Sequence, residues 1–253
     1  MASARLDRVR VVLVDTSHPG NIGAAARAMR AMGLARLSLV RPKDFPSAEA
    51  TARAAGADGL LYRAEIFESL EQALADCVWV VGTTVRNRRL ELAQWTPRSF
   101  AARAVEETHN GQVALVFGRE QAGLSNQELD LCQGAAAIAT DADFSSLNVA
   151  AAVQIFAYEL QLAFSGGDGE PDTPPGNDDE GGAPATAAQL QGFYEHLEQA
   201  LTDIGYYDPK APKLLIRRLR RLYARARPDR AELNILRGIL AATQRSTGGH
   251  PQD

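Results

Sequence analysis

Val9-Arg-Val-Val-Leu-Val14, followed at once by Asp15-Thr-Ser-His-Pro-Gly-Asn-Ile-Gly-Ala-Ala-Ala-Arg27, is the stretch whose reading decides the fold. A continuous apolar run of strand length fits a strand buried on both faces, which implies a parallel sheet. The Pro-Gly-Asn turn then opens an alanine-rich run that reads as a helix. The same alternation returns along the chain. Residues 36–40, 77–81, 113–117 and 135–139 read as strands, with Gly59–Arg63 as a further candidate. Helical patterns fall near 22–32, 47–55, 68–75, 97–108 and 126–132. Alternating strands and helices imply an α/β fold, a mostly parallel sheet sandwiched by helices. In such sheets ligands bind where the chain leaves the carboxyl ends of the strands.

Two further clusters occupy such turns: Phe117-Gly-Arg-Glu-Gln-Ala-Gly-Leu124 and Phe144-Ser-Ser-Leu-Asn148. Ser125 and Glu128 have capping-box spacing for the helix at 126. Ser146 is expected to cap a longer helix whose Val149, Val153, Phe156 and Leu160 fall on one stripe. Three turns carrying Asn, Arg, Glu and Ser argue for a site rather than a scaffold.

Composition narrows the function classes. The chain has 253 residues, 45% of them hydrophobic, enough for one large domain or two modest ones. Cys77 and Cys132 lack Cys-x-x-Cys spacing and sit in apolar context, which fits buried thiols in a reducing cytoplasm. The four histidines are scattered without zinc-ligand spacing, so no metal is expected. No apolar run approaches the ~20 residues of a membrane span, and the N-terminus lacks a signal-length apolar segment, so no membrane association is expected. Net charge is −4, but six acids (Asp168, Glu170, Asp172, Asp178, Asp179, Glu180) lie in one Gly/Pro-rich stretch; removing them takes the balance to +2. Between Lys210 and Arg230 nine Lys/Arg face one acid, Asp229. That asymmetry points to a polyanionic partner.

The acidic stretch cannot bury a core and reads as a flexible linker over 165–186, separating a domain at 1–164 from a helical extension at 187–253. The extension reads as helices at about 187–203, 210–226 and 230–244. Leu215, Leu219 and Leu222 form an apolar stripe on the second, Leu233, Leu236 and Leu240 on the third. Arg217, Arg218, Arg220, Arg221 and Arg225 cover the rest of the second helix, where arginine forks suit phosphate. Tyr206, Tyr207 and Tyr223 are available for core packing or base stacking.

The three clusters, in this order, resemble the SPOUT class of RNA methyltransferases in its TrmH-like 2′-O-ribose branch: Asn21 and Arg27 match the first motif, Phe-Gly-x-Glu-x-x-Gly-Leu at 117–124 the second, Ser-Ser-Leu-Asn at 145–148 the third. The run from Lys213 to Pro228, then Glu232 to Leu240, resembles the C-terminal extension of bacterial members that methylate the ribose 2′-hydroxyl of tRNA position 32. The resemblance implies a C-terminal deep trefoil knot, an exception to the rule against knotted chains. It implies S-adenosylmethionine as cofactor, tRNA as substrate, and a homodimer whose sites are completed by the neighbouring subunit. By motif position the cofactor would be held by Thr83, Thr84, Val85, Gly118, Ile138, Ser145, Ser146, Leu147 and Asn148. Catalysis would fall to Arg27, Asn21, Glu120, Ser146 and Asn148, and RNA contact to Arg119 and the five tail arginines.

The residues leave the chemistry partly open. A guanidinium stays protonated, so Arg27 suits an electrostatic anchor for a phosphate beside the target ribose better than a base. His18 is the rival base by its ordinary pKa. Asn21 could cap the first helix or orient Arg27 and substrate, Ser145 and Ser146 could be caps or ligand contacts, and Glu120 could pin the first loop or Arg27 by charge-assisted hydrogen bonds. Two other readings stand beside this one: a ribosomal-RNA methyltransferase of the same class, and a non-catalytic RNA-binding protein on this fold.

Overall fold

The computed structural model describes residues 6–84, 92–141, 143–166, 184–211 and 214–247. The chain divides into two compact units, within residues 1–175 and 176–253.

Among the described residues the first unit is built on seven strands: β1 (Val9–Val14), β2 (Arg36–Val40), β3 (Glu65–Phe67), β4 (Cys77–Thr83), β5 (Ala93–Trp95), β6 (Gln112–Phe117) and β7 (Gly134–Ala136). They form one sheet in the order β3-β2-β1-β6-β4-β7-β5, and every pairing is parallel. In register, Val11 of β1 lies between Leu37 and Leu115. Central β1 is buried along its whole length, as a mainly apolar run broken only by Arg10 leads one to expect.

Among the described residues seven helices accompany the sheet: α1 (Pro19–Ala31), α2 (Ala48–Ala54), α3 (Asp58–Tyr62), α4 (Leu70–Leu74), α5 (Pro97–Glu107), α6 (Asn126–Leu129) and α7 (Val149–Ser165). Alternate strand residues face opposite layers. Val9, Val11 and Leu13 share the main core with Ile22 and Met29 of α1, Phe100 of α5, and Val153, Phe156 and Leu160 of α7. On the opposite face Arg10 donates to the Ala73 carbonyl of α4 at 2.6 Å, and Gly82 of β4 abuts Leu124, Leu129 and Cys132. The α1–α2 contact is as close as backbones allow: a Cβ on Gly23 would lie 2.0 Å from the Ala50 carbonyl oxygen. An aromatic column runs through the core, Phe117 to Phe156 to Phe100 edge to face, Phe100 stacked on Trp79, and Trp79 against Trp95.

Several helix starts follow local chemistry. Pro19 and Pro97 occupy first-turn positions of α1 and α5. Ser125 and Glu128 make the expected capping box of α6. The cap of α7 is Asn148, whose side chain accepts from Ala150 N, and not Ser146. Asn148 stands directly before the first helical residue, where its carboxamide reaches the second helical N–H. Gly59–Arg63, expected as a strand, lies in and just after the single-turn helix α3, because a short apolar run fits either element. The strand expected at 135–139 is Gly134–Ala136. The three-residue edge strands β3 and β5 add to the pattern read from sequence.

The second unit contains α8 (Ala187–Asp203), α9 (Leu215–Ala226) and α10 (Arg230–Thr247). Leu190, Phe193, Tyr194 and Leu197 of α8 form its core with Leu233 of α10; Leu219, Tyr223, Leu236 and Leu240 pack against it. Helix α9 begins at Leu215 rather than near 210. Leu222, expected on its buried stripe, is 47% exposed. Residues 167–183, most of the expected linker, lie outside the described residues. No helix among the described residues is long and apolar enough to cross a membrane.

Candidate active site

The loops after β1, β4, β6 and β7 leave the same edge of the parallel sheet, which brings the three sequence clusters together. Glu120, in the loop after β6, is the hub. Its carboxylate accepts from Ser17 N at 3.2 Å, Ser17 Oγ at 2.9 Å, His18 N at 3.2 Å and Asn21 Nδ2 at 3.0 Å. Burial alone would raise its pKa. The Asn21 amide and the backbone N–H groups of Glu120, Ser17 and His18 outweigh that and hold it down to about 2. Asn21, in the first turn of α1, turns its other face to the third cluster: its Oδ1 accepts from Asn148 Nδ2 at 2.8 Å. Asn148 Oδ1 in turn accepts from Ala150 N at 2.9 Å. One hydrogen-bonded line thus runs Glu120–Asn21–Asn148 and ties all three motifs to the start of α7.

Beside this line lies a cavity of about 380 Å³. Its polar side is formed by Thr83, Thr84, Gly118 to Gly123, Ser145 and Ser146, and its apolar side by Phe117, Ala136, Ile138, Leu147, Val149, Ala152 and Phe156. Gly118 is required by geometry: a Cβ there would lie 2.2 Å from Gly123 C and 2.3 Å from Leu124 N, so the loop could not fold back on itself. Thr83 donates from Oγ1 to the Val116 carbonyl at 3.0 Å, and Thr84 N donates to the Ala136 carbonyl at 3.0 Å, locking the three strand ends that form the rim.

Of the nine positions assigned to a cofactor from sequence, Thr83, Thr84, Gly118, Ile138, Ser145, Ser146 and Leu147 line the cavity. Asn148 stands in the hydrogen-bonded line instead. Val85 lies outside the described residues. Gln121 and Ala122 also line the cavity; only their place inside the second motif marked them. Arg27 projects exposed from α1, and His18 is exposed at its N-cap. Arg119 has its guanidinium on carboxylates: Nη1 and Nη2 each donate to Glu128 at 2.9 Å, and Nη2 also donates to Asp15. In the second unit Arg220 lies 4.8 Å over the Tyr194 ring and donates to Gln191 Oε1 at 2.9 Å. Arg218 and Arg225 are exposed, Arg217 and Arg221 half-buried. Tyr207 is buried and Tyr223 packs edge to face on Phe193, whereas Tyr206 is exposed.

The SpoU rRNA methylase family matches residues 8–158, and the C-terminal domain of the tRNA methyltransferase TrmJ matches residues 188–252. The chain is 48% identical over 252 residues, 96% of each chain, to the tRNA (cytidine/uridine/adenosine-2′-O-)-methyltransferase TrmJ of Pseudomonas aeruginosa. It is 44% identical to the tRNA (cytidine/uridine-2′-O-)-methyltransferase TrmJ of Cronobacter sakazakii, over 97% of this chain and all of that one. Among solved structures, TrmJ from Z. mobilis ZM4 superposes with a TM-score of 0.79 at 34% identity, covering 92% of this chain and 97% of that one.

Proposed function

This chain belongs to the SpoU methylase family and is a tRNA 2′-O-methyltransferase, and from that premise we propose that it transfers the methyl of S-adenosylmethionine to the ribose 2′-hydroxyl of cytidine or uridine at position 32 of the anticodon loop. The observation that carries the reading is the Glu120–Asn21–Asn148 line at the edge of the cavity.

The cavity suits the cofactor. Its size is in the range of small-molecule pockets, roughly 300–1,000 Å³. It joins an apolar wall to a rim of loop backbone and hydroxyl groups able to hold an adenine edge and ribose. Thr83, Thr84, Gly118, Ile138, Ser145, Ser146 and Leu147 are the contacts we assign, with Val85 assigned from its place in the sequence alone. The bound cofactor supplies an activated methyl on a sulfonium. The protein's own task is to align a ribose oxygen with that methyl, exclude water and manage one proton. Holding two reactants in attack geometry supplies about 7–11 kcal/mol of barrier reduction.

Arg27 holds the phosphate beside the target ribose and favours ionisation of the 2′-hydroxyl, while its guanidinium remains protonated. The proton passes to a phosphate oxygen or water. Glu120 is a poor acceptor for it: a carboxylate held near pKa 2 by hydrogen bonds lies far from the pH at which a base is effective. Its role is to hold Ser17, His18 and Asn21, so that α1 presents Arg27 at a set place. Asn21 and Asn148 extend that hold, and Ser146 lines the cavity. Arg217, Arg218, Arg221 and Arg225 put a basic helix on the C-terminal unit for tRNA phosphates, positioning the substrate without reading its sequence, while Arg220 packs that helix against Tyr194 and Gln191 of α8.

The same reading includes the knotted arrangement of the family's C-terminal strands and a homodimer. Phe144 is 78% exposed beside the cavity, and Tyr158 and Leu162 are about half exposed on α7. Large apolar groups so placed are suited to a second subunit. Acting on the tRNA pool places the enzyme in the cytoplasm. The test is a tRNA transcript with a single 2′-deoxynucleotide at position 32: it should accept no labelled methyl, while the all-ribose transcript should. Equal labelling of both would overturn the assignment of that ribose.

A further inference from the structure

Asp15 and Arg41 follow β1 and β2 directly, and both adopt positive backbone φ, 50° and 47°. Side chains with a Cβ rarely occupy that region, and such residues gather where a structure must aim a side chain. Here the two meet as a fork: Arg41 Nε and Nη2 donate to the two Asp15 oxygens at 3.0 Å each. Asp15 also accepts from Arg119, Arg119 donates twice to Glu128, and Glu128 lies 3.6 Å from Arg41 Nη2. The four side chains close an alternating ring in which each cation touches both anions. Its members come from the ends of β1 and β2, the loop after β6, and α6.

The ring stands immediately upstream of the site in both loops. Asp15 is two residues before Ser17, and Arg119 is one before Glu120. The Asp15–Arg119 ion pair and the Ser17–Glu120 hydrogen bonds therefore stitch the same two loops together side by side. Without Arg41, two carboxylates would share Arg119 alone, and the ring's charges would no longer balance.

We propose that Arg41 is a positioning residue for methyl transfer: by closing this ring it sets the spacing between the loop after β1 and the loop after β6, and so where Glu120 holds Asn21 and the start of α1. The inference rests on the reading of that site as the methyl-transfer centre. Arg41 is the informative member because it does not line the cavity, does not cap α6 and is 40% exposed. Arg119 lines the cavity, and Glu128 accepts from Ser125 N in the α6 cap.

The test compares Arg41→Asn, which tolerates the left-handed backbone, with Arg41→Lys, which keeps the charge and loses the fork. The loss of Arg41's partly exposed contacts with Asp15 and Glu128 should lower kcat about fivefold in Arg41→Asn and less in Arg41→Lys. The KM for tRNA and the Kd for S-adenosylmethionine should stay within about twofold. Adding Arg41→Asn to Glu120→Gln should cost no more than Glu120→Gln alone, since both act through one loop contact. Additive losses, an unchanged kcat, or a loss confined to the KM for tRNA would overturn the proposal. Amide hydrogen exchange at Ser17 to Asn21, read on the full chain without substrate, should quicken in Arg41→Asn; unchanged exchange would overturn the positioning role independently of activity. A wild-type protein that transfers no methyl to tRNA would instead overturn the functional reading, leaving the exchange result to decide the ring's part.

Discussion

Asn21→Asp exchanges one NH₂ for an oxygen with almost no change of shape, at the point where two of the motifs meet. In the wild-type protein Asn21 Nδ2 donates to Glu120 Oε1 at 3.0 Å. In the variant the same contact sets two carboxylate oxygens against each other. Unit charges about 3 Å apart repel by about 1.4 kcal/mol at the dielectric constant of water and about 5.5 kcal/mol at an effective value of 20. Both side chains are partly exposed, so about 2 kcal/mol is the appropriate size, and this repulsion raises the pair's pKa. The lost hydrogen bond to a charged acceptor adds about 1.5 kcal/mol or more. Together these predict a fall in methyl transfer of at least about a hundredfold at pH 8, if the line positions α1 in the transition state. A proton shared by the pair restores an O–H···O contact where the amide bond had been. The activity of Asn21→Asp relative to wild type should therefore climb as pH falls from 8 to 5. Asn21→Ala, with nothing to titrate, should show a constant ratio. The assay is single-turnover methyl transfer across that range. A ratio for Asn21→Asp as flat as that for Asn21→Ala, or full activity at pH 8, would refute the reasoning.

Glu120→Gln should lower the melting temperature at neutral pH. Because the folded carboxyl is held near 2 against an ordinary 4.5, its contribution is complete above 4.5 and is lost as pH falls through about 2. The gap to wild type should thus close over that window, and a constant gap measured by thermal unfolding would contradict the assignment. Arg27→Ala should abolish methyl transfer and leave cofactor affinity, measured by calorimetry, within a few-fold; matched losses of both would remove it from the ribose. Gly118→Ala pushes a methyl into the Gly123–Leu124 backbone. It should weaken S-adenosylmethionine binding at least tenfold with a lowered melting temperature, and unchanged affinity would show that the loop has another way to close. Deleting 187–253 should weaken tRNA binding in a filter assay far more than cofactor binding; undiminished tRNA affinity would take the basic helix out of substrate recognition.

What was legible in the sequence was what is local. Val9–Val14, Arg36–Val40 and Gln112–Phe117 announce themselves because strands buried on both faces need apolar residues at nearly every position, broken here only by Arg10, Arg36, Ser38 and Gln112. Glu65–Phe67 and Ala93–Trp95 do not, being three residues long, at the sheet's edges and partly exposed. Gly59-Leu-Leu-Tyr-Arg63 has too few residues for either period to show, and it folds into a helical turn. The motif residues were legible by type and spacing, and so were the hold of Glu120 on the first loop and the Ser125–Glu128 capping box, but the partners of the arginines were not. Asp15 meets an arginine 26 residues on and another 104 residues on. From sequence Arg119 and Arg220 are simply exposed cations available to phosphate. Only the fold reveals Glu128 and Asp15 around the first, and the Tyr194 ring and Gln191 around the second. Ser146 and Asn148 are two residues apart and both good caps, so which one faces the second helical N–H depends on where the loop after β7 delivers the chain.

The most direct test of the account is to incubate the full-length protein with labelled S-adenosylmethionine and an unmodified tRNA transcript, then map the modified nucleotide by mass spectrometry. The account predicts a single 2′-O-methyl group on nucleotide 32. A methyl group on a base, or transfer to ribosomal RNA with none to tRNA, would contradict it.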